Sequence, residues 1–172
     1  MSSREDILGR VRAGLNRGAT NAAVGRAEMA AALSNRSHGP KPAMDSHPQA
    51  LLERFRIKSE QQSSTVDIVA SESAVPVAVE RYLTAMKLPK TAVAWPSLAT
   101  LDWATAGLKV DGRGARDADL VGITGCFCAV AETGTLMLCS SPDTPAAVSL
   151  LPETHIAIVH ASRILPYMED AW

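Results

Sequence analysis

Residues 119–140 read DLVGITGCFCAVAETGTLMLCS, and the reading of this stretch decides the fold. Leu120, Val121 and Ile123 form an apolar run rich in β-branched residues between Asp119 and Gly125. The run is too short for a globular helix, so it predicts a buried strand. Leu136, Met137, Leu138 and Cys139 predict a second strand, and the residues between read as a tight turn and a short crossover. Into that interval fall Gly125, Gly134, the threonines Thr124, Thr133 and Thr135, and one carboxylate, Glu132. A buried carboxylate without donors is strongly disfavoured, so Glu132 either finds partners or sits at a strand mouth.

In an open α/β sheet, ligands bind beyond the carboxyl ends of the strands, where the turn after Ile123 is expected. Gly125 and Gly134 would let backbone N–H groups approach an anion there. The candidate ligand-binding set is therefore Thr124, Gly125, Glu132, Thr133, Gly134 and Thr135, with Glu132 as the candidate catalytic residue. Each has a plainer reading. Glu132 could cap a turn or pair with an arginine, the threonines suit turns, and the glycines matter for backbone shape with or without a ligand.

Outward from this centre, the N-terminal helix (1–15) begins near Ser2 or Ser3, with Glu5 or Asp6 three residues on in a capping-box pattern. Ile7, Leu8, Val11 and Leu15 share one face, expected to pack on the domain or a partner. Residues 16–48 lose the apolar period among Gly, Pro, Ser, Asn and His, and predict a mobile connector with a helical turn around 27–33 and solvated His38 and His47. A single α/β domain follows over 49–172. It opens on an amphipathic helix at 49–60 and a first sheet strand at 66–70. Pro76 marks the first turn of a sheet-covering helix with Val79, Leu83 and Met86 on its inner face. A short strand at 91–95, an irregular return at 98–108, and a polar turn at 111–114 lead to Leu120. After the central stretch come an apolar approach at 146–151, a third buried strand at 156–159 bracketed by His155 and His160, and a helix from 163. The alternation predicts a mostly parallel sheet flanked by helices.

Composition bounds the function. The chain has 172 residues, enough for one domain with a sizeable core, and a net charge of −1 from 17 basic and 18 acidic residues. No basic footprint for nucleic acid exists, and no apolar run approaches a membrane span. Cys126, Cys128 and Cys139 form no Cys-x-x-Cys pair, and no secretory signal precedes Ser2, so a reducing cytoplasm is expected. Cys-x-Cys with distant histidines lacks zinc-site spacing, and three thiolates do not hold a four-thiolate cluster. The expectation is no metal and no cofactor bound by this chain.

The string VGITGCFCAVAETGTLML, with its AETGT core at 131–135, and SLLPETHIAIV at 149–159 resemble the LUD domain of the lactate-utilisation protein C family (LutC/YkgG). The resemblance covers about residues 66–170. It implies a fold similar to the NagB/RpiA/CoA-transferase group. It also implies a subunit that helps oxidise L-lactate to pyruvate as a ligand-binding or assembly component, with iron–sulfur clusters on separate partner subunits. The family pattern moves Glu132 toward ligand contact. Family members continue past the position of Trp172 through Gly-Pro-Ser-x-Thr-like and His-Gly-Pro motifs absent here. That leaves open a short member, a truncated LUD fragment, or a homo-oligomer that completes the domain by dimerising. The alternative function is a CoA-transferase or sugar-phosphate-isomerase-like enzyme with Glu132 as nucleophile, for which Arg113 and Arg116 are the candidate phosphate or CoA contacts.

Overall fold

Apolar strand residues that must be hidden on both faces set the layout of the larger unit. The computed structural model describes residues 3–15, 22–35 and 40–172, and the chain divides into two units, Met1–Pro42 and Ala43–Trp172. In the larger unit the strands are β1 (Thr91–Ala94), β2 (Lys109–Gly112), β3 (Val121–Thr124), β4 (Cys128–Val130), β5 (Thr135–Met137), β6 (Thr154–Ala157) and β7 (Ile164–Leu165). Four of them make a parallel sheet in the order β2-β1-β3-β6, and three make a second sheet, β5-β4-β7. In the second, β4 pairs antiparallel with β5 and parallel with β7.

Every residue of β3 is buried, as the run at 120–123 predicts. One face carries Val121 and Ile123, and the other Gly122 and Thr124. A Cβ at Gly122 would lie 2.0 Å from the carbonyl oxygen of Val148, so only glycine lets the short helix α5 (Ala147–Leu150) sit against the sheet. The helix α4 (Val75–Ala85) places Pro76 in its first turn and buries Val75, Val79 and Leu83 in the same core as Val93, Val121 and Ile123. Met86, expected on that inner face, lies at the helix C-cap and is exposed. A second core forms where Leu51 and Phe55 of α3 (Pro48–Gln61) meet Ala129 and Ile164 of the second sheet and Ala131 just past β4.

Several expectations change. The stretch 66–70 forms no strand. Val69 packs on the core, Asp67 pairs with Arg81 of α4, and Ile68 faces solvent, so no strand lies beside it to accept a ladder. Residues 109–112, read partly as a polar turn, are the edge strand β2, whose polar residues suit an exposed edge. The supposed crossover contains β4, a strand of small apolar residues too short to stand out by period. His155 lies inside β6 rather than before it, and β6 is a half-exposed edge strand. The final segment forms β7 and a 3-10 turn at Met168–Ala171 instead of a helix, with Pro166 between them.

In the smaller unit, α1 (Ser3–Gly14) carries Glu5 and Asp6 in its first turn and Arg12 in its last, complementing the helix dipole. Ile7, Leu8, Val11 and Leu15 are all exposed, and Ser2 lies outside the described residues. Much of the expected connector is α2 (Ala22–Asn35), where an alanine-rich run outweighs Gly25. His38 lies outside the described residues. His47 caps α3, its Nδ1 accepting from the Gln49 N–H at 3.4 Å.

Candidate functional site

The chain passes from β1 outward to β2 and then returns to the other side of β1 as β3, so the usual ligand crevice lies between the carboxyl ends of β1 and β3. Trp95 fills it. Its ring rests against Gly125, where a Cβ would meet the indole at 3.4 Å, and its Nε1–H donates to the Pro145 carbonyl at 3.3 Å. The indole is only 6% exposed. Gly125 is thus the floor for an aromatic ring. Thr124 is fully buried, and its hydroxyl bonds His155 Nε2 at 2.8 Å. Burial of that side of the imidazole lowers the His155 pKa from its ordinary value, although the residue as a whole is exposed.

The remaining candidates lie on the other sheet, with Glu132, Thr133 and Gly134 in the four-residue turn between β4 and β5 and Thr135 as the first residue of β5. Its backbone is fixed from two sides. Ala131 N–H donates to Leu165 O at 2.8 Å and Glu132 N–H to Pro166 O at 3.1 Å, which ties the turn to the β7 segment. Gly134 N–H closes the turn onto Val130 O at 2.9 Å, and the Gln62 side-chain amide donates to Thr133 O. Gly134 adopts φ +74°, and a Cβ there would lie 2.8 Å from the backbone of Lys58 and Ser59. Glycine is required twice over, for the left-handed backbone and for the close passage of α3. Its N–H is spent inside the hairpin rather than offered to an anion. The hydroxyls of Thr133 and Thr135 bond each other at 2.8 Å.

Glu132 stands apart within this turn. Its backbone is held, its side chain is half-buried, and its carboxylate has no hydrogen bond or ion pair among the described residues. No arginine pairs with it, so the plain structural roles open to it from sequence are not taken up. A fixed, partnerless carboxylate can accept hydrogen bonds from a hydroxyl or amine, or present a nucleophilic oxygen.

Of the two cationic candidates, the Arg113 guanidinium is occupied. Arg113 forms a two-point pair with Asp119 at 2.7 and 2.9 Å and lies 3.7 Å from Asp111. The guanidinium holds the Asp119 carboxyl below the usual carboxylate range. Arg116 contributes its backbone N–H to the same carboxylate at 2.7 Å. This cluster borders a cavity of about 240 Å³ at the amino ends of β1, β2 and β3, the end opposite the crevice. Sequence reasoning passed over Arg163, whose guanidinium donates to Phe127 O at 3.0 Å and stays near Cys126 and Cys128. Burial pushes the Cys126 thiol up to about 11, with Cys128 adding to the shift, and raises Cys128 too. The raised values make both thiols less nucleophilic at pH 7 than an exposed cysteine. Their sequence spacing carried no hint of this; packing decides it.

Residues 53–172 match the LUD domain model. The chain belongs to the LUD domain family. Part of this LUD domain is 42% identical over 85 residues to lactate utilization protein C of Bacillus subtilis, covering 44% of this chain and 35% of that protein. The counterpart in Bacillus licheniformis is 44% identical over 80 residues, 45% of this chain and 32% of that one. A further stretch of similarity, 41% over 54 residues, is to lactate utilization protein B of Bacillus pumilus, covering 31% of this chain and 11% of that protein. The matched part thus spans about a third or less of these relatives' own length. A crystal structure of a DUF162 family protein from Deinococcus radiodurans superposes with a TM-score of 0.60 over 74% of this chain and 79% of that one, at 23% identity, which establishes the fold. No helix among the described residues is long and apolar enough to cross a membrane.

Proposed function

We propose that this LUD domain protein is a component of an L-lactate utilisation system, working in the cytoplasm with separate iron–sulfur subunits. The observation that carries the reading is the similarity of the chain to relatives named for both lactate utilization protein C and protein B. Oxidation of L-lactate to pyruvate releases two electrons and two protons. Four-thiolate clusters suit the electron transfer, and this chain has three cysteines, one short of such a set, which supports placing the clusters on the partners. The part assigned to this chain is contact, with the β4–β5 turn as the contact point. There Glu132 offers an unpaired carboxylate on a backbone held by β7 and α3, which suits recognition of a ligand hydroxyl or of a donor on a partner subunit.

The test is growth on L-lactate as sole carbon source in a host deleted for the gene. Expression of the wild-type chain restores growth, and Glu132→Gln, which keeps the side chain's size, abolishes it. Growth of the Gln variant at the wild-type rate removes Glu132 from the function, and failure of the wild type to complement removes the pathway. A second reading, acyl transfer through Glu132 as in CoA-transferases, draws on the same free carboxylate. The Arg113 pair with Asp119 counts against the phosphate contact it needs. A glutamyl thioester trapped by borohydride or hydroxylamine from acyl-CoA would favour it.

A further inference from the structure

The helix α3 changes character where it crosses the β4–β5 turn. It buries Leu51, Phe55 and Ser59, spaced four residues apart on one face. Leu51 and Phe55 meet the apolar residues of the second core, whereas Ser59 lies at the hairpin turn, where a Cβ at Gly134 would be 2.8 Å from the backbone of Lys58 and Ser59. At this crossing the inner face turns polar, with Lys58, Ser59 and Gln62 following Leu51 at i+7, i+8 and i+11. The Gln62 amide donates to Thr133 O across the junction. Ser59 is 6% exposed, and its enclosed hydroxyl has no partner among the described residues. Packing alone would favour alanine there, because a buried hydroxyl without a hydrogen bond costs stability.

Lys58 is half-buried and its stem begins at the turn, with its Cβ 3.0 Å from where a Cβ on Gly134 would be. The residues three and four away along the chain are Arg54, Phe55, Gln61 and Gln62, so the helix offers its ammonium no acid. The two carboxylates of α3, Glu53 and Glu60, both pair with Arg56. A cation in the last turn suits the helix dipole, but the dipole does not require it on the buried side. Two residues before Gly134 stands the half-buried Glu132. No ion pair joins it to Lys58 among the described residues, so one fixed turn carries an ammonium and a carboxylate that do not neutralise each other. A ligand that serves both needs an anionic group for the ammonium and a hydroxyl that donates to the carboxylate. A 2-hydroxy monocarboxylate carries both on adjacent carbons. Resting on the lactate reading above, we propose that the junction of α3 with the β4–β5 turn binds a small 2-hydroxy acid, its carboxylate on Lys58 and its hydroxyl donating to Glu132.

The experiment is isothermal titration calorimetry of the 172-residue chain with L-lactate, with propionate, which lacks the hydroxyl, and with L-lactamide, which lacks the charge. L-lactate binds at least tenfold more tightly than either. Glu132→Ala brings L-lactate down to the affinity of propionate and does not weaken propionate. Lys58→Met, which keeps the stem, weakens both acids at least tenfold. Absence of L-lactate binding overturns the site, as do equal affinities for L-lactate and propionate, or binding that Lys58→Met leaves unchanged. If Lys58→Met does not fold, the three ligands on the wild-type chain decide alone. Growth on L-lactate separates this claim from the one it rests on. A Lys58→Met chain that restores growth where Glu132→Gln does not removes this site and keeps the pathway. A wild-type chain that binds L-lactate as described but fails to restore growth keeps this site and removes the pathway.

Discussion

The single stretch 119–140 supplies strands to both sheets, and the two turns it makes are stabilised in opposite ways. After β3, side chains fill the space: Trp95 lies on Gly125, and Thr124 is buried against His155. After β4, the backbone is held by its own hydrogen bonds and by the closeness of α3, while the one acidic side chain is left unused. The first turn occupies the position where parallel sheets usually bind ligands, and an indole has taken it. The second carries Glu132, Thr133 and Gly134 on a backbone held by β7 and α3. Burial is what the parallel sheet sells its crevice for, and rigidity with a free carboxylate is what the hairpin retains.

Breaking the filled side should show the largest effects. Trp95→Ala empties the crevice and should lower unfolding free energy by about 4 kcal/mol in urea titrations. Gly122→Ala drives a Cβ into the Val148 carbonyl and displaces α5, for a loss of about 3 kcal/mol by the same measurement. On the hairpin, Gly134→Ala meets both the positive φ and the α3 backbone. It should lose about 2 kcal/mol, with faster amide exchange confined to the β4–β5 turn and the end of α3.

The pH response sharpens the contrast further. His155 has a lowered pKa in the folded protein, so the unfolded chain binds its proton more readily. Its contribution is absent well above the ordinary histidine pKa of about 6.5. As pH falls from there toward the lowered native value stability declines, and below that value the loss levels off. His155→Gln should flatten this slope below about pH 7 in thermal melts, leaving the carboxylate-driven fall at lower pH. Smallest of all is Glu132→Gln. With no partner to lose, it should change stability by less than about 0.5 kcal/mol. A loss beyond about 1 kcal/mol would make Glu132 a structural residue and dissolve the contrast between the two turns.

How far the chain could be read in advance varied with the kind of signal. Periodic apolar patterns carried β1, β3, α3 and α4, because burying a strand or a helix face leaves a local signature in residue order. Pro76 was readable because a missing N–H is harmless only in a first turn. The stretch 66–70 has the same β-branched composition as a strand and is not one, since a strand exists only if a neighbour accepts its hydrogen bonds. In the opposite sense β4 was hidden, its three small residues gaining identity from β5 on one side and β7 on the other.

By itself the sequence determined that the run at 120–123 is a buried strand of a parallel sheet flanked by helices, and that the chain is a LUD domain. Those properties are local in the chain, written in the order of apolar, glycine and threonine residues. Tertiary structure alone decided which sheet each turn serves. It brought Trp95 over Gly125 and α3 against Gly134, and gave Asp119 rather than a ligand to Arg113. It also left Glu132 without a side-chain partner among the described residues. Each of these is a contact between residues far apart in sequence, or the lack of one, and no residue order states which distant groups will meet.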